Sequence, residues 1–201
     1  MQINSIIPAP FYNRDVVQVA RELIGKRLVR RSDAGLISGI ISETEAYNGS
    51  QDLACHARAG RTARTATMYG PAGHAYIYFT YGMHWLLNVV TGEEGYPAAV
   101  LIRAILPQEG LDLISKNRTG VGREHWTDGP AKLTRALLIG KELNGINLTN
   151  SDSNLWIEAG VPIPQDNIYV SSRIGLGKTP EPWLSMPWRF RISDLAFMDK
   201  P

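Results

Sequence analysis

Residues 73–88, GHAYIYFTYGMHWLLN, decide how this chain is read. Aromatic and β-branched residues crowd the run up to Tyr81, which predicts a strand ending near that residue. On such a strand Tyr76 and Tyr78 share one face, while Ile77 and Phe79 share the other. Gly82 lets the chain turn sharply just beyond Tyr81. A plain core strand has little use for so many phenols, because each buried hydroxyl needs a partner. The run therefore predicts a strand with one apolar and one phenolic face.

Outward from this stretch the chain alternates unevenly between strands and helices. Residues 13–25, NRDVVQVARELIG, predict a helix capped by Asn13, with Val16, Val19, Ala20, Leu23 and Ile24 as its apolar face. KRLVRR (26–31) and LISGIISETEAY (36–47) read as strands joined by the turn SDAG. Residues 48–72 have no period and form a long loop, a kind of segment that is usually functional or disordered. AAVLIRAIL (98–106) is a further buried strand, and PQEGLDLISKNR (107–118) predicts a helix with Pro107 in its first turn. GPAKLTRALLIG (129–140) is another helix, and NLWIEAG, NIYVSSRIGLG and WRFRIS are late strands. Strands outnumber helices and do not interleave with them regularly. The expected class is α+β: a single mixed domain over residues 1–201, with a curved antiparallel sheet surrounded by helices.

Composition narrows the chemistry. The chain has 201 residues, a formal net charge of +2 and one cysteine, Cys55, which has no internal partner and suits a reducing compartment. The N-terminus shows no basic segment followed by a long apolar one, so a cytoplasmic location is expected. No apolar run approaches the ~20 residues of a membrane helix, and no membrane partner is expected. The four histidines and one cysteine lack metal-finger spacing, and no dinucleotide-binding or phosphate-loop motif is present. No metal and no cofactor are expected, so catalysis would rest on side chains alone.

Some of those side chains stand out. In SETEAYNG (42–49), Glu43, Glu45 and Tyr47 fall at i, i+2 and i+4 and share a strand face, about 7 Å apart per step. That face is either the wet end of a strand or a general base beside an aromatic wall. Tyr76 and Tyr78 supply a second wall, or merely cap the core. Loop residues 55–68, CHARAGRTARTATM, set His56 among Arg58, Arg61 and Arg64 with small residues between. They form a solvated loop or a backbone suited to close approach to a phosphodiester chain. Arg103 lies within an apolar run and needs a nearby carboxylate if buried, with Glu45 and Glu43 as the candidates. Together these parts fit a site that binds a flat aromatic moiety beside phosphates and uses water as nucleophile. A nucleobase is the simplest such ligand.

The order of segments ARELIGKRLV, SETEAYNGSQDLACHARAGRTAR, GHAYIYFTYGMHWLLNVV, AAVLIRAILPQEGL, GPAKLTRAL and SRIGLG resembles the 3-methyladenine (alkyladenine) DNA glycosylase family, from about residue 10 to residue 192. The resemblance implies a hydrolase that flips alkylated or deaminated purines out of duplex DNA and cuts the N-glycosidic bond in base excision repair. It makes Glu45 the base that activates water, held by Arg103 and by the backbone carbonyl of Ile192. It sets Tyr47 on one face of the flipped base, His56 and Tyr78 against the other face and edge, and Asn88 at the pocket floor. Tyr81 becomes the wedge that fills the gap in the duplex, with Met83 and His84 lining the DNA surface, and the implied partner is damaged double-stranded DNA bound by a monomer. Thr65 stands where the family often has asparagine, and the segment SKNRTGVGREHW is shorter and less basic than in longer relatives.

Two rival readings remain at this stage. A non-catalytic nucleic-acid-binding domain would use the same walls and arginines, but the carboxylates of 43–45 would repel phosphate. A nucleosidase-type small-molecule hydrolase would need the acid and the walls but no wedge.

Overall fold

The computed structural model describes residues 5–193. Its strands are β1 (Arg27–Ser32), β2 (Gly35–Asn48), β3 (Ala75–Thr80), β4 (His84–Thr91), β5 (Ala98–Glu109), β6 (Leu155–Glu158), β7 (Ile168–Ser171) and β8 (Arg189–Ile192). They form one open eight-stranded sheet in the order β3-β4-β5-β2-β1-β6, with β8 added beside β2 and β7 beside β8. Every pairing is antiparallel, as the α+β reading requires. The long strand β2 is the spine. One of its edges pairs with β5 from residue 38 to residue 48, while the other is shared between β1 through residues 35–40 and β8 through residues 43–45.

The change of partner coincides with a break in register. Between β2 and β5, Ile41 faces Ile105 and Glu43 faces Ala104, but Thr44 faces Ile102, which leaves Ser42 and Arg103 without register partners. A bulge of this kind re-aims side chains. It lets Ile41, Ile102 and Ile105 all join the main core while Arg103 leaves it.

Alternation then divides the sheet into two faces. The first carries Ala75, Ile77, Leu87, Val89, Val100 and Ile102 into the main core. The helices α1 (Ala9–Tyr12), α2 (Val16–Glu22), α3 (Leu111–Asn117) and α4 (Pro130–Ala136) add their apolar sides to it, Val19, Ile114 and Leu133 among them. Truncating one of these buried side chains to alanine costs about 2–5 kcal/mol. The opposite face carries a smaller cluster of Cys55, Ala57, Met68, Tyr76, Val90 and Ala99. Three of these (Cys55, Ala57 and Met68) come from the 49–74 connection, so that segment covers the second face. It contains short 3-10 turns at His56–Ala59 and Ala66–Tyr69.

Several expectations need correction. The opening run is two strands, since β4 follows β3 as a hairpin with Tyr76 opposite Asn88. Asp15, not Asn13, caps α2: its Oδ1 accepts the Val17 and Gln18 amides at 3.0 Å, whereas Asn13 closes α1. Pro107 does not begin a helix. It is still in β5, opposite Gly39, and α3 starts only after Gly110 turns the chain at φ 71°.

Candidate active site

Four neighbouring strands align one cross-sheet row on the second face. Glu45 on β2 stands opposite Leu101 on β5, Leu101 opposite Asn88 on β4, and Asn88 opposite Tyr76 on β3. The two-residue period adds Tyr47 and Tyr78 to the same side. Under the covering loop this face leaves a cleft of about 790 Å3, lined by Tyr47, His56, Tyr76, Tyr78, Asn88 and Arg103 among others. That volume lies within the ~300–1,000 Å3 usual for small-ligand sites.

Glu45 lies just beneath the floor, fully buried. Its Oε2 accepts the Tyr47 hydroxyl at 2.9 Å and Arg103 Nη1 at 3.2 Å, and its Oε1 accepts the Ile174 amide at 2.9 Å. All three donors belong to residues that line the cavity. Burying a carboxylate is costly unless it is paired and hydrogen-bonded, and here it is both. Arg103 also donates Nε to Glu43 at 2.6 Å, and Glu43 takes Arg189 Nε at 2.7 Å. Burial works against the Arg103 charge, but Glu45 and Glu43 outweigh it and hold its pKa above the ordinary value. Burial, reinforced by Glu45, pushes the Tyr47 phenol well up, so it remains a donor. The interior arginine expected to seek Glu45 or Glu43 therefore binds both.

The opposite wall is aromatic. His56 and Tyr78 meet edge-on with centroids 4.4 Å apart, and His56 Nδ1 lies 3.2 Å from the Tyr76 hydroxyl. Burial, then Arg64 and Arg58, lower the His56 pKa to about 4, so the ring is neutral near pH 7. Burial raises the Tyr76 and Tyr78 phenols as well. Asn88 is buried and fixed by donating Nδ2 to the Tyr76 carbonyl at 3.0 Å.

At the rim, Tyr81 is 82% exposed and has φ 50°, followed by Gly82 at φ 66°. Two consecutive left-handed residues match the hairpin turns whose twist suits β-strands. Thr80 closes this turn by accepting the Met83 amide at 3.1 Å. Tyrosine in that conformation is strained, and strain of this sort gathers at functional sites. Met83 is also exposed, whereas His84 begins β4 and is half-buried.

The loop arginines separate. Arg58 donates to the Leu53 carbonyl at 2.9 Å, Arg61 lies over the Tyr69 ring, and Arg64 lies 5.0 Å from the Tyr78 ring centre beside His56. Thr65 is buried, donates to the Gly60 carbonyl and accepts the Thr62 amide. It thus supplies its loop with local bonds.

The backbone group at Glu45 differs from the one expected. The residue of β8 opposite Glu45 is Arg189, while Ile192 lies three positions on, opposite Ile168. That span is about 10 Å of extended chain. The contact comes instead from Ile174, in the segment SRIGLG, which carried resemblance but no assigned role. Nothing in the sequence pattern shows which backbone amide a fold brings to a side chain. Among the described residues no group of His, Cys, Asp or Glu has a metal-binding arrangement, and no helix is long and apolar enough to cross a membrane.

With this geometry in view, comparison with known proteins is informative. The family model for methylpurine-DNA glycosylase (MPG) matches residues 10–196. A protein of Carboxydothermus hydrogenoformans is 44% identical over 97% of this chain and 99% of its own length. Another, from Methanocella arvoryzae, is 45% identical over 92% of this chain and 91% of its own. A third, from Chlorobaculum parvum, is 43% identical over 90% and 84%. All three bear "3-methyladenine DNA glycosylase" in their names. A buried acid beneath an aromatic cleft and a match over nearly the whole chain lead to one conclusion: the chain belongs to the methylpurine-DNA glycosylase family, hydrolases of N-glycosyl bonds in DNA.

Proposed function

We propose that the protein removes alkylated or deaminated purines by swinging the nucleotide out of the duplex into the aromatic cleft. Glu45 then directs water onto the sugar. A base inside a duplex is out of reach, and extruding it costs a few kcal/mol of stacking and pairing. Tyr81, exposed on a fixed turn, has the size and reach to occupy the vacated position. The base rests between Tyr47 on one side and His56 and Tyr78 on the other. A cationic purine such as 3-methyladenine is drawn to electron-rich rings, and neutral His56 adds no repulsion. Asn88, held by the Tyr76 carbonyl, stands where a normal guanine's 2-amino group would collide with it.

The chemistry needs one base. A carboxylate offers about four acceptor sites, and three are taken by Tyr47, Arg103 and Ile174, which leaves one for a proton of water. Glu45 takes that proton as the water oxygen bonds to the anomeric carbon. The bond from that carbon to the purine nitrogen breaks, and its electron pair leaves with the base. The products are free purine and an uncut strand bearing an abasic sugar. A cationic base departs neutral and needs little acid assistance, whereas a neutral deaminated purine leaves as an anion and must also take up a proton to become the free base. The protein acts as a monomer on a single nucleotide, in the reducing cytoplasm that a lone cysteine suits.

The triply bonded, buried carboxylate beneath a base-sized aromatic cleft carries this reading. In an excision assay on duplexes with one defined lesion each, Glu45→Gln is expected to lose about 100-fold to 10,000-fold in base release. Its binding to a duplex carrying an abasic-site analogue should persist. Undiminished release by that variant would remove Glu45 from the reaction, and a product trapped by borohydride would contradict simple hydrolysis. Release of base from free nucleosides as fast as from duplex would favour the nucleosidase reading.

A further inference from the structure

We propose that Arg173 is a positioning residue that sets two parts of the site at once, the plane of Tyr47 and the orientation of the Glu45 carboxylate. The proposal rests on the role given to Glu45 above. The Arg173 side chain is fully buried. Its Nη1 donates to Asp52 Oδ2 at 2.5 Å and to the Ala46 carbonyl at 2.9 Å; its Nη2 donates to Asp52 Oδ1 and to the Trp183 carbonyl, both at 3.0 Å. Four of the five guanidinium donors are thereby used, and Nε stays buried without a partner among the described residues. The flat group lies over two rings, 4.8 Å from the Tyr47 centre and 5.0 Å from that of Trp188. Tyr47 has the guanidinium on it and also lines the cleft.

The anchor ties together parts of the chain distant in sequence. Asp52, also fully buried, accepts the Asn48 amide at 3.1 Å and the Ala54 amide at 3.0 Å. The pair therefore fixes the end of β2 and the start of the loop that carries His56. One residue after Arg173, the Ile174 amide reaches Glu45 Oε1. Arg103 and Tyr47 hold only the other oxygen, Oε2. The carboxylate is thus restrained from two sides, and Arg173 supports both: Tyr47 through its ring face, Ile174 through the backbone.

Charge alone does not account for this arrangement. A buried ion pair is often no more stabilising than well-packed apolar residues of the same volume. What lysine cannot reproduce is a planar fork that grips a carboxylate with two bonds while lying over aromatic rings. Lysine would keep the charge opposite Asp52 and lose the plane.

The test is Arg173→Lys, read by single-turnover base release at saturating enzyme, affinity for a duplex with an abasic-site analogue, and amide hydrogen exchange. The expected outcome is a folded protein with unchanged analogue affinity and release slowed about tenfold to 100-fold, the scale of a 1 Å misplacement. Exchange at Ile174 should quicken at least tenfold while the amides of β4 and β5 stay protected. A folded variant with wild-type release and wild-type Ile174 protection would overturn the proposal. So would loss of protection spread evenly over the sheet, which marks a general structural role. If Arg173→Lys does not fold, Trp188→Leu decides by the same readings, because it removes one ring and leaves the pair with Asp52 intact. Local loss at Ile174 with slower release supports the proposal, and wild-type behaviour overturns it. Exchange at Ile174 needs no substrate, so it stands apart from any failure of the hydrolytic reading, which would show as an inert wild type or an active Glu45→Gln.

Discussion

Glu45 just beneath the floor of the cleft and Tyr81 at its rim differ from 0% to 82% in exposure, and the difference extends to everything around them. Floor groups bind one another: Arg189 to Glu43, Glu43 to Arg103, Arg103 to Glu45, Glu45 to Tyr47. The rim offers Tyr81 and Met83 to solvent on one strained turn. A floor of this kind is preorganised, so charge and geometry are fixed before any ligand arrives. A rim of this kind is uncommitted until DNA meets it. Floor substitutions should therefore cost stability and activity together, whereas rim substitutions should separate the two.

The largest expected effect is at Arg103. Replacing it with methionine leaves Glu45 buried with hydrogen bonds but without its cation, and leaves Glu43 with Arg189 alone. Breaking a buried pair from one side costs about 3–5 kcal/mol, measurable as a lower urea midpoint. Base release should collapse in parallel. A variant as stable as the wild type would show that charge pairing is not what holds the floor.

At the rim the two quantities should part. Tyr81→Gly relieves a left-handed tyrosine, a strain of about 1 kcal/mol or more, so the protein should melt slightly higher. The same change removes the proposed wedge, and excision from duplex should fall about tenfold or more if Tyr81 supports flipping, which costs a few kcal/mol. Lesions in single strands, already unstacked, should be processed as before. Equal loss on both substrates would move Tyr81 from flipping to the chemical step.

This contrast also explains what the sequence made legible. The period-two spacing of Glu43, Glu45 and Tyr47, and of Tyr76 and Tyr78, survives in the structure because alternation is a local property of a strand. The need of Arg103 for a carboxylate followed from the cost of a bare buried charge. What was hidden depended on long-range register. The bulge that turns Arg103 out of the core arises between strands about sixty positions apart, and Asp15 outcompetes Asn13 only because α1 ends where α2 is about to begin. The second strand of the hairpin, β4, went unread because the expected strand stopped at the Gly82 turn and the next residues, buried from Leu86 through Thr91, show no alternation to mark a strand. The Ile174 amide and Arg173 were beyond reach, since no pattern in 172–177 reveals that the fold delivers them behind the active face.

His56 lies between floor and rim, and its effect should be intermediate. Its folded pKa of about 4 lies below the ordinary 6.5 because of burial, then Arg64 and Arg58. The unfolded chain therefore binds more protons in that window. Stability from this residue is complete above about pH 6.5, declines as pH falls, and is exhausted near pH 4. Melting temperatures taken between pH 7.5 and 4.5 should fall less steeply for His56→Gln than for the wild type. Identical slopes would assign the acid sensitivity to other groups.

The smallest effects distinguish two arginines of the same loop. Arg61 lies over Tyr69 at the surface and has no carboxylate partner among the described residues. If it meets a phosphate, Arg61→Ala should weaken binding to every sequence alike and reduce the slope of log K against log salt by about one, with melting unchanged. Arg64 instead lies over Tyr78 and beside His56, so its removal acts on the proposed base site. Arg64→Ala should raise the His56 pKa, because one cation that lowers it is gone, and should ease entry of cationic purines relative to neutral ones. Its salt slope should change less than that of Arg61→Ala. Measuring both slopes on one undamaged duplex decides whether the loop is a uniform phosphate grip or, as its geometry argues, one arginine for the backbone and one for the base.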